Sequence, residues 1–243
     1  MTGVPYPPNP PEPYYEADGI VIYHGDCREI DFADLGEMLA TDPPYGIDFR
    51  SGWTGSQIAA DESTDARDHV LARWRLHRPD APAVVFGAAR EAALPDSVAT
   101  LVWWRPGSGM GDLSLPWKPD YELIHVFGGG YTSATRGSSV LRYPWDVFRG
   151  DAGHPHRKPV GLMRQLLSWC PGRSVVDPFM GSGSTLEAAK QLGRRAVGIE
   201  VDERYCELAA TRLGQMVFDM GGGCGMSEQD WATRQSATRG EDR

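Results

Sequence analysis

The sequence predicts an α/β protein with a doubly wound, mostly parallel sheet and helices on both faces. Short apolar runs of strand-like composition alternate with stretches of helical periodicity, and a glycine-rich turn directly follows one of the runs. The 243 residues are enough for one sizeable domain with its own core. Ligands of such sheets bind beyond the carboxyl ends of the strands, so the residues that follow each predicted strand are the candidates for function.

Seven segments have the composition of strands, namely 19–25, 37–42, 81–87, 100–104, 121–127, 173–179 and 194–200. Four segments have helical character, namely 65–77, 159–170, 185–192 and 203–216. The second of these is the clearest, because its apolar residues recur at helical spacing and Pro159 stands in its first turn. Strands that alternate with helices imply βαβ units and therefore a mostly parallel sheet.

The two ends of the chain differ from this middle part. Six of the first 13 residues are proline, which predicts an extended arm over residues 1–18. Residues 219–243 are rich in glycine and then polar, and they predict a flexible tail. Residues 19–218 are predicted to form a single domain. Without a secretory signal or a long apolar run, we expect a cytoplasmic location and no membrane partner.

Charge and cysteine content narrow the classes of partner. The net charge is −9, and 13 acidic residues precede position 66. Residues 131–173 carry seven basic and two acidic side chains, so this region would face a polyanion, if the protein binds one. An unevenly charged solvated surface explains the pattern equally well. The four cysteines are widely separated, and we expect no metal site.

The glycine-rich turn at residues 177–185 follows a predicted strand and opens a helix. Gly181 and Gly183 would let a ligand approach the backbone, and the helix N-terminus presents free N–H groups. Glu200 ends the next strand, where doubly wound folds place an acid for ribose hydroxyls. The pattern indicates an adenosine-containing cofactor. Leu186 stands where a nicotinamide fingerprint needs a small residue, which disfavours an oxidoreductase and favours S-adenosyl-L-methionine.

The second motif is Asp42-Pro43-Pro44-Tyr45, which begins at the last residue of the predicted strand at 37–42. The two adjacent prolines make this turn rigid. The Asp42 carboxylate and the Pro43 carbonyl could both accept hydrogen bonds from one amino group, and Tyr45 could stack on the ring that bears it. The predicted catalytic residues are therefore Asp42, Pro43, Pro44 and Tyr45.

With these motifs the chain resembles the DNA amino-methyltransferases from about residue 19 to residue 213. It is similar to the permuted β-class, in which DPPY precedes FxGxG, here residues 179–183. The resemblance implies transfer of a methyl group from S-adenosyl-L-methionine to the N6 amine of adenine in double-stranded DNA. Cytosine N4, RNA as the substrate, and a non-catalytic protein that binds the cofactor or DNA stay open as alternatives. Members of the subclass often dimerise, so a homodimer is open as well.

The resemblance also implies further site residues. His154 and Lys158 belong to an HPTxKP-like element beside the methionine end of the cofactor, with His156 in place of the usual threonine. Lys158 could pair with the cofactor carboxylate, and Asp26 matches a position near the cofactor's adenine. The predicted cofactor site comprises Asp26, Cys27, His154, Lys158, Asp177, Pro178, Phe179, Gly181, Gly183, Ser184, Thr185, Glu200 and Val201. The family's target-recognition segment corresponds to residues 128–153, and the predicted DNA contacts are Arg136, Arg142 and Arg149.

Overall fold

The computed structural model describes residues 11–46, 63–89, 91–107, 116–132, 137–144 and 157–219. The chain divides into two compact units, residues 1–210 and Thr211–Arg243. Of the second unit, only residues 211–219 are described. The described residues form, in chain order, β1 (Tyr15–Ala17), β2 (Ile20–His24), β3 (Met38–Thr41), α1 (Asp65–His77), β4 (Ala83–Gly87), β5 (Ala99–Trp104), β6 (Tyr121–Phe127), β7 (Val140–Arg142), α2 (Val160–Trp169), β8 (Ser174–Asp177), α3 (Ser184–Gln191), β9 (Arg195–Glu200) and α4 (Glu203–Asp219).

Within the described residues, nine strands form one sheet in the order β1-β2-β9-β8-β3-β4-β6-β5-β7. The neighbouring strands from β2 through β9, β8 and β3 to β4 are all parallel. Strand β6 runs antiparallel to both β4 and β5, and β7 runs parallel to β5. The mostly parallel α/β fold predicted from the sequence is therefore confirmed, with a mixed part at one side of the sheet. Strands β5 and β6 are consecutive in the chain, the sequence predicts no helix between them, and they pair antiparallel, as strands without a crossover connection can.

All seven predicted strands and all four predicted helices are present, and the structure adds β1 and β7. Strand β1 lies within the segment predicted as an extended arm, and it pairs antiparallel with β2. Asp18 and Gly19 connect the two strands and both have positive φ, at 52° and 77°. Two positive φ angles are the mark of a type I′ hairpin turn, for which Asp-Gly is a preferred pair.

Helices cover both faces of the sheet. On one face, α1 contributes Val70, Leu71 and Trp74 to a core cluster that also contains Leu39 of β3 and Ile199 of β9. The opposite face meets α3, because a Cβ atom at Gly198, next to Ile199, would come within 3.0 Å of Leu186. Helix α2 packs on α3. None of the helices in the described ranges is long and apolar enough to cross a membrane.

The parallel arrangement brings distant parts of the sequence to one edge. Strands β2, β9, β8, β3 and β4 all end at the same edge of the sheet, because parallel neighbours point in the same direction. The turn after β3 and the turn after β8 are therefore neighbours, although more than 130 residues separate them in the chain. This placement is the spatial condition on which the functional prediction depends.

Candidate active site

The two motifs open into one cleft of about 600 Å³ at this edge. A ligand pocket typically has a volume of roughly 300 to 1,000 Å³, so the cleft is of the right size for a cofactor and a base. The predicted residues that line it are Asp26, Cys27, Asp42, Pro43, Pro44, Tyr45, Lys158, Asp177, Pro178, Phe179, Gly181, Ser184, Thr185, Glu200 and Val201. The structure thus brings together residues from four strand ends, and Lys158 from the segment before α2, which the sequence only placed one by one.

Asp177 joins the two motifs directly. Its carboxylate accepts a hydrogen bond from the hydroxyl of Thr41, at the end of β3, at 2.6 Å. It accepts another from the hydroxyl of Thr185 in α3 at 2.5 Å, and a third from the backbone N–H of Phe179 at 3.1 Å. Burial raises the pKa of Asp177 to about 6, although these three hydrogen bonds act in the opposite direction. The side chain predicted as a cofactor contact thus also fastens β3, β8 and α3 to one another.

Glu200 is fixed by the glycine-rich turn. Its Oε2 accepts a hydrogen bond from the backbone N–H of Gly181 at 3.0 Å, and its Oε1 accepts one from the N–H of Asp202 at 2.8 Å. Burial raises the pKa of Glu200, and the backbone hydrogen bonds oppose that rise. Each carboxylate oxygen has a second lone pair, so the side chain can still accept hydrogen bonds from a ligand. The acid predicted for ribose hydroxyls is therefore oriented toward the cleft wall that contains Gly181.

The residues after β2 form the adjacent wall of the cleft. Asp26 accepts hydrogen bonds from the backbone N–H of Arg28 at 2.8 Å and from its guanidinium Nε at 3.0 Å. The hydrogen bond with the Arg28 side chain lowers the pKa of Asp26. Cys27 is buried beside it, and burial raises the pKa of its thiol to about 12, so it stays protonated. The predicted contacts Asp26 and Cys27 lie next to Glu200 because β2 pairs with β9.

Gly183 has a packing role that the sequence did not indicate, and its contact with the cofactor stays a prediction. It does not line the cleft. Its φ is 80°, and a Cβ atom there would lie 2.9 Å from the Cβ of Ala209 in α4. The missing side chain therefore makes room for a neighbouring helix. Gly181, with φ of 49°, is the glycine of the turn that does face the cleft.

The DPPY turn forms the other half of the cleft. The Tyr45 hydroxyl donates a hydrogen bond to Asp42 Oδ1 at 2.6 Å, which orients the tyrosine ring. Burial, together with the charges of Asp42 and Glu122, raises the pKa of Tyr45 well above its usual value, so the phenol keeps its proton. The carboxylate of Asp42 is partly exposed and remains open to the cleft.

Lys158 contacts the DPPY turn. Its ammonium donates a short hydrogen bond to Asp42 Oδ2, and it lies 3.2 Å from Glu122 Oε2. The ammonium also lies 5.0 Å from the centre of the Phe86 ring. The pairing of Lys158 with the cofactor carboxylate stays a prediction, and the structure adds an interaction with Asp42 that the sequence did not indicate.

The cleft also contains two paired charged residues that the sequence did not indicate. Glu122 in β6 and Arg105, which follows β5, both line the cleft and form an ion pair at 3.0 Å. A signal was present, because an acid in an otherwise apolar strand is rarely buried without a partner.

The predicted DNA contacts are only partly described. Arg142, in β7, is exposed and lies over the Trp104 ring, with its guanidinium carbon 5.3 Å from the ring centre. Arg136, Arg149 and the predicted cofactor contact His154 lie outside the described residues. Within the described ranges, no group of three or more His, Cys, Asp or Glu side chains is arranged to hold a metal ion.

Comparison with known sequences gives consistent matches. A family model described as DNA methylase, the N6/N4 methyltransferase model, matches residues 102–211. The Escherichia coli (strain K12) protein named "Putative methylase YubD" is 38% identical over 228 residues, which are 88% of this chain and 97% of that protein. The type II methyltransferase M2.DpnII of Streptococcus pneumoniae is 42% identical over 119 residues, which are 48% of this chain and 42% of that protein.

Solved structures share the fold. The M1.HpyAVI–SAM complex matches with a TM-score of 0.59 and 24% identity, over 79% of this chain and 99% of that one. The cytosine-N4-specific PvuII DNA methyltransferase matches with a TM-score of 0.61 and 16% identity, over 82% of this chain and 88% of that one. The match to the Escherichia coli methylase spans nearly all of that protein, and both family motifs meet at one cleft. The chain belongs to the N6/N4 family of DNA methylases.

Proposed function

We propose that the protein transfers a methyl group from S-adenosyl-L-methionine to the N6 amine of adenine in double-stranded DNA. The observation that carries this proposal is the meeting of the two turns in one cleft. Asp42 supplies an amine acceptor on one side, and Gly181 and Glu200 form an adenosine-type site on the other. A methyl donor and an amine held in these two halves would be next to each other, and positioning of this kind accounts for a large part of the rate in reactions between two bound molecules.

The cofactor half of the cleft fits S-adenosyl-L-methionine. The Glu200 carboxylate is held by two backbone N–H groups and keeps lone pairs for the ribose hydroxyls. Gly181 leaves the backbone accessible beside it, and Asp26 faces the same space from the end of β2. When bound, the cofactor supplies an electrophilic methyl group on a sulfonium sulfur. The family to which the chain belongs and the complex of M1.HpyAVI with SAM agree with this choice of cofactor.

The catalytic half of the cleft would hold and polarise the amine. Asp42 and the carbonyl oxygen of Pro43 accept hydrogen bonds from the two N–H groups, which turns the nitrogen lone pair toward the methyl donor. Positive charge that develops on the nitrogen as it gains the methyl group is stabilised by the Asp42 carboxylate, a negative charge already in place before the reaction. The methylated amine then loses one proton to solvent, and the demethylated cofactor would leave as a neutral thioether. Tyr45 contributes a ring whose orientation is fixed by its hydrogen bond to Asp42.

The target base must leave the duplex to reach this cleft, because its amine is otherwise paired and stacked. A flipped base would lie against Tyr45, and the remaining volume of the cleft would hold the cofactor. The acceptor groups of the turn, Asp42 and Pro43, match the amine of either adenine or cytosine. Our choice of adenine rests on the resemblance of DPPY to the adenine-modifying members, and cytosine N4 is the alternative outcome of the test below.

An exposed surface at the same edge of the sheet suits the contact with DNA. Arg142, at the end of β7, lies over the ring of Trp104, and Trp117 is also exposed. Strand β7 is parallel to β5, which runs in the same direction as β4, so these side chains stand beside the catalytic half of the cleft. Arginine can contact phosphate or guanine, and aromatic rings can stack on bases. We propose that Arg142 contacts DNA here, and the proposal extends to Arg136 and Arg149 in the same segment.

Mass spectrometry of DNA from a host that lacks adenine and cytosine-N4 methylation tests the proposal. Expression of the protein is expected to produce N6-methyladenine, and expression of Asp42→Ala is expected to produce far less. N4-methylcytosine instead would replace adenine by cytosine in the proposal. Unmodified DNA would contradict catalysis on DNA, provided that the purified protein binds S-adenosyl-L-methionine. The Asp42→Ala control must also be folded.

A further inference from the structure

We propose that Glu122 is a positioning residue for methyl transfer, because it holds the ammonium of Lys158 against Asp42. This inference rests on the proposed function. Glu122 lies in β6, outside both motifs, and 80 positions separate it from Asp42 along the chain. The sequence indicated no role for it in the site, whereas the structure makes it part of the wall of the cleft.

The cluster around Glu122 alternates in charge. Its Oε1 accepts a hydrogen bond from Arg105 Nη1 at 3.0 Å, and its Oε2 lies 3.2 Å from Lys158 Nζ. Lys158 in turn donates a short hydrogen bond to Asp42 Oδ2. The Tyr45 hydroxyl, which donates to Asp42, lies 3.4 Å from Glu122 Oε2. Two cations and two carboxylates therefore form one connected row that ends on the acceptor of the DPPY turn.

The burial of this row is costly for the fold. Lys158 is only 8% exposed and Glu122 only 9%. Buried ion pairs lose their hydration, and apolar residues of similar volume would often stabilise a core equally well or better. Folding alone therefore gives little reason to place these charges here. Their position at the cleft, with one end on the predicted catalytic carboxylate, indicates a role in the reaction.

Glu122 determines how Lys158 interacts with Asp42. An ammonium has three N–H donors, and here one points to Asp42 and another to Glu122. The rings of Phe86 and Tyr45, at 5.0 and 5.8 Å from the ammonium, restrict it further. With two carboxylates to bind, the ammonium stays between them. Asp42 is thereby held in place, while it retains lone pairs for the substrate amine.

The charged groups that face Lys158 come from several elements. Asp42 and Tyr45 follow β3, Glu122 belongs to β6, and Arg105 follows β5. Elsewhere in the cleft wall are Asp177 and Arg157, and Arg157 forms an ion pair with Glu187 of α3. Burial lowers the pKa of Lys158, but Asp42 and Glu122 outweigh it and raise the pKa above its usual value. Removal of the Glu122 charge is expected to lower the pKa of this ammonium.

Glu122→Gln is the first test, because it removes the charge and preserves the shape. At pH 7.5 we expect kcat to fall by about tenfold or more, as when one hydrogen bond between charged groups is lost. We also expect the decline of kcat on the alkaline side of the pH profile to begin at a lower pH than in the wild type. The reason is that Lys158 loses its proton more easily without the Glu122 charge. Glu122→Asp, which retains the charge, is expected to restore part of kcat.

A double-mutant cycle with Lys158→Met separates this role from simple packing. If Glu122 acts through Lys158, then adding Glu122→Gln to Lys158→Met changes kcat by no more than about twofold. Losses that multiply in the double variant would overturn the inference. So would a Glu122→Gln enzyme with wild-type kcat and pH profile, or one whose defect is confined to cofactor affinity. The thermal unfolding midpoint of each variant verifies that it is folded.

Failure of the positioning role of Glu122 is distinguishable from failure of the proposed function. If the wild-type protein modifies no DNA, then the proposed function fails before any Glu122 variant is measured. If the wild type methylates DNA and Glu122→Gln behaves identically, then only the positioning role is refuted.

Discussion

Replacement of Gly183 by alanine tests whether this glycine is required for helix packing. The residue has φ of 80°, a conformation that costs a residue with a side chain about 1 to 2 kcal/mol. The added Cβ would also lie 2.9 Å from the Cβ of Ala209, which is closer than real Cβ contacts. Overpacking of this kind costs roughly 1 to 3 kcal/mol. Together the two effects predict a loss of about 2 to 5 kcal/mol in the free energy of unfolding for Gly183→Ala.

Gly193→Ala provides the matched control. Gly193 follows α3 with φ of 65°, and a Cβ atom there would meet nothing within 4 Å. It therefore incurs the conformational cost but no clash, so the two variants should differ by about 1 to 3 kcal/mol. In a protein of this size, the melting temperature of Gly183→Ala should be lower than that of Gly193→Ala by about 2 to 12 °C.

Calorimetry or circular dichroism of both variants measures this difference, and equilibrium binding of S-adenosyl-L-methionine at low temperature gives an independent readout. We expect the cofactor affinity of folded Gly183→Ala to change little, because Gly183 does not line the cleft. Equal melting temperatures for the two variants would refute the packing argument. A normal melting temperature with lost cofactor binding would instead support the original prediction that Gly183 serves the ligand.

Three further predictions concern the cleft and the surface beside it. Asp42→Ala should lower kcat by about 10²-fold or more while cofactor binding is retained. Asp42→Asn keeps an acceptor oxygen, so its kcat should fall less. Normal turnover in the alanine variant would exclude Asp42 as the amine acceptor. Burial raises the pKa of Asp177 from 3.8 to about 6, so the folded state binds more protons in this interval and stability falls as the pH rises through it. Denaturant titrations should therefore show that Asp177→Asn is more stable than the wild type above pH 6, by up to about 3 kcal/mol. Near pH 4 the variant should show no such gain. A gain that does not depend on pH would contradict this reasoning. Arg142→Gln should reduce the slope of log affinity for duplex DNA against log salt by about 1, whereas an unchanged slope would remove Arg142 from phosphate contact.

Local sequence was sufficient to predict most of the secondary structure. The α1 prediction agrees with the observed bounds, and the apolar runs that became β2, β3, β4 and β6 were recognisable without neighbours. The β1–β2 hairpin is also encoded locally, in Asp18-Gly19, although the proline-rich residues before it predict an extended arm. Strand β7 has only three residues and pairs with β5, so its identity depends on a partner far away in the sequence.

The sequence by itself determined the two motifs, their order, and the acid 19 residues after Gly181, because backbone turns and hydrogen-bonding capacity are properties of short segments. Only the tertiary structure decided that Gly183 accommodates Ala209, and that Lys158 joins Asp42 to Glu122. These contacts connect residues from different strands and loops. They depend on which strands become neighbours, and strand order arises from the packing of the whole sheet with its helices rather than from any one segment.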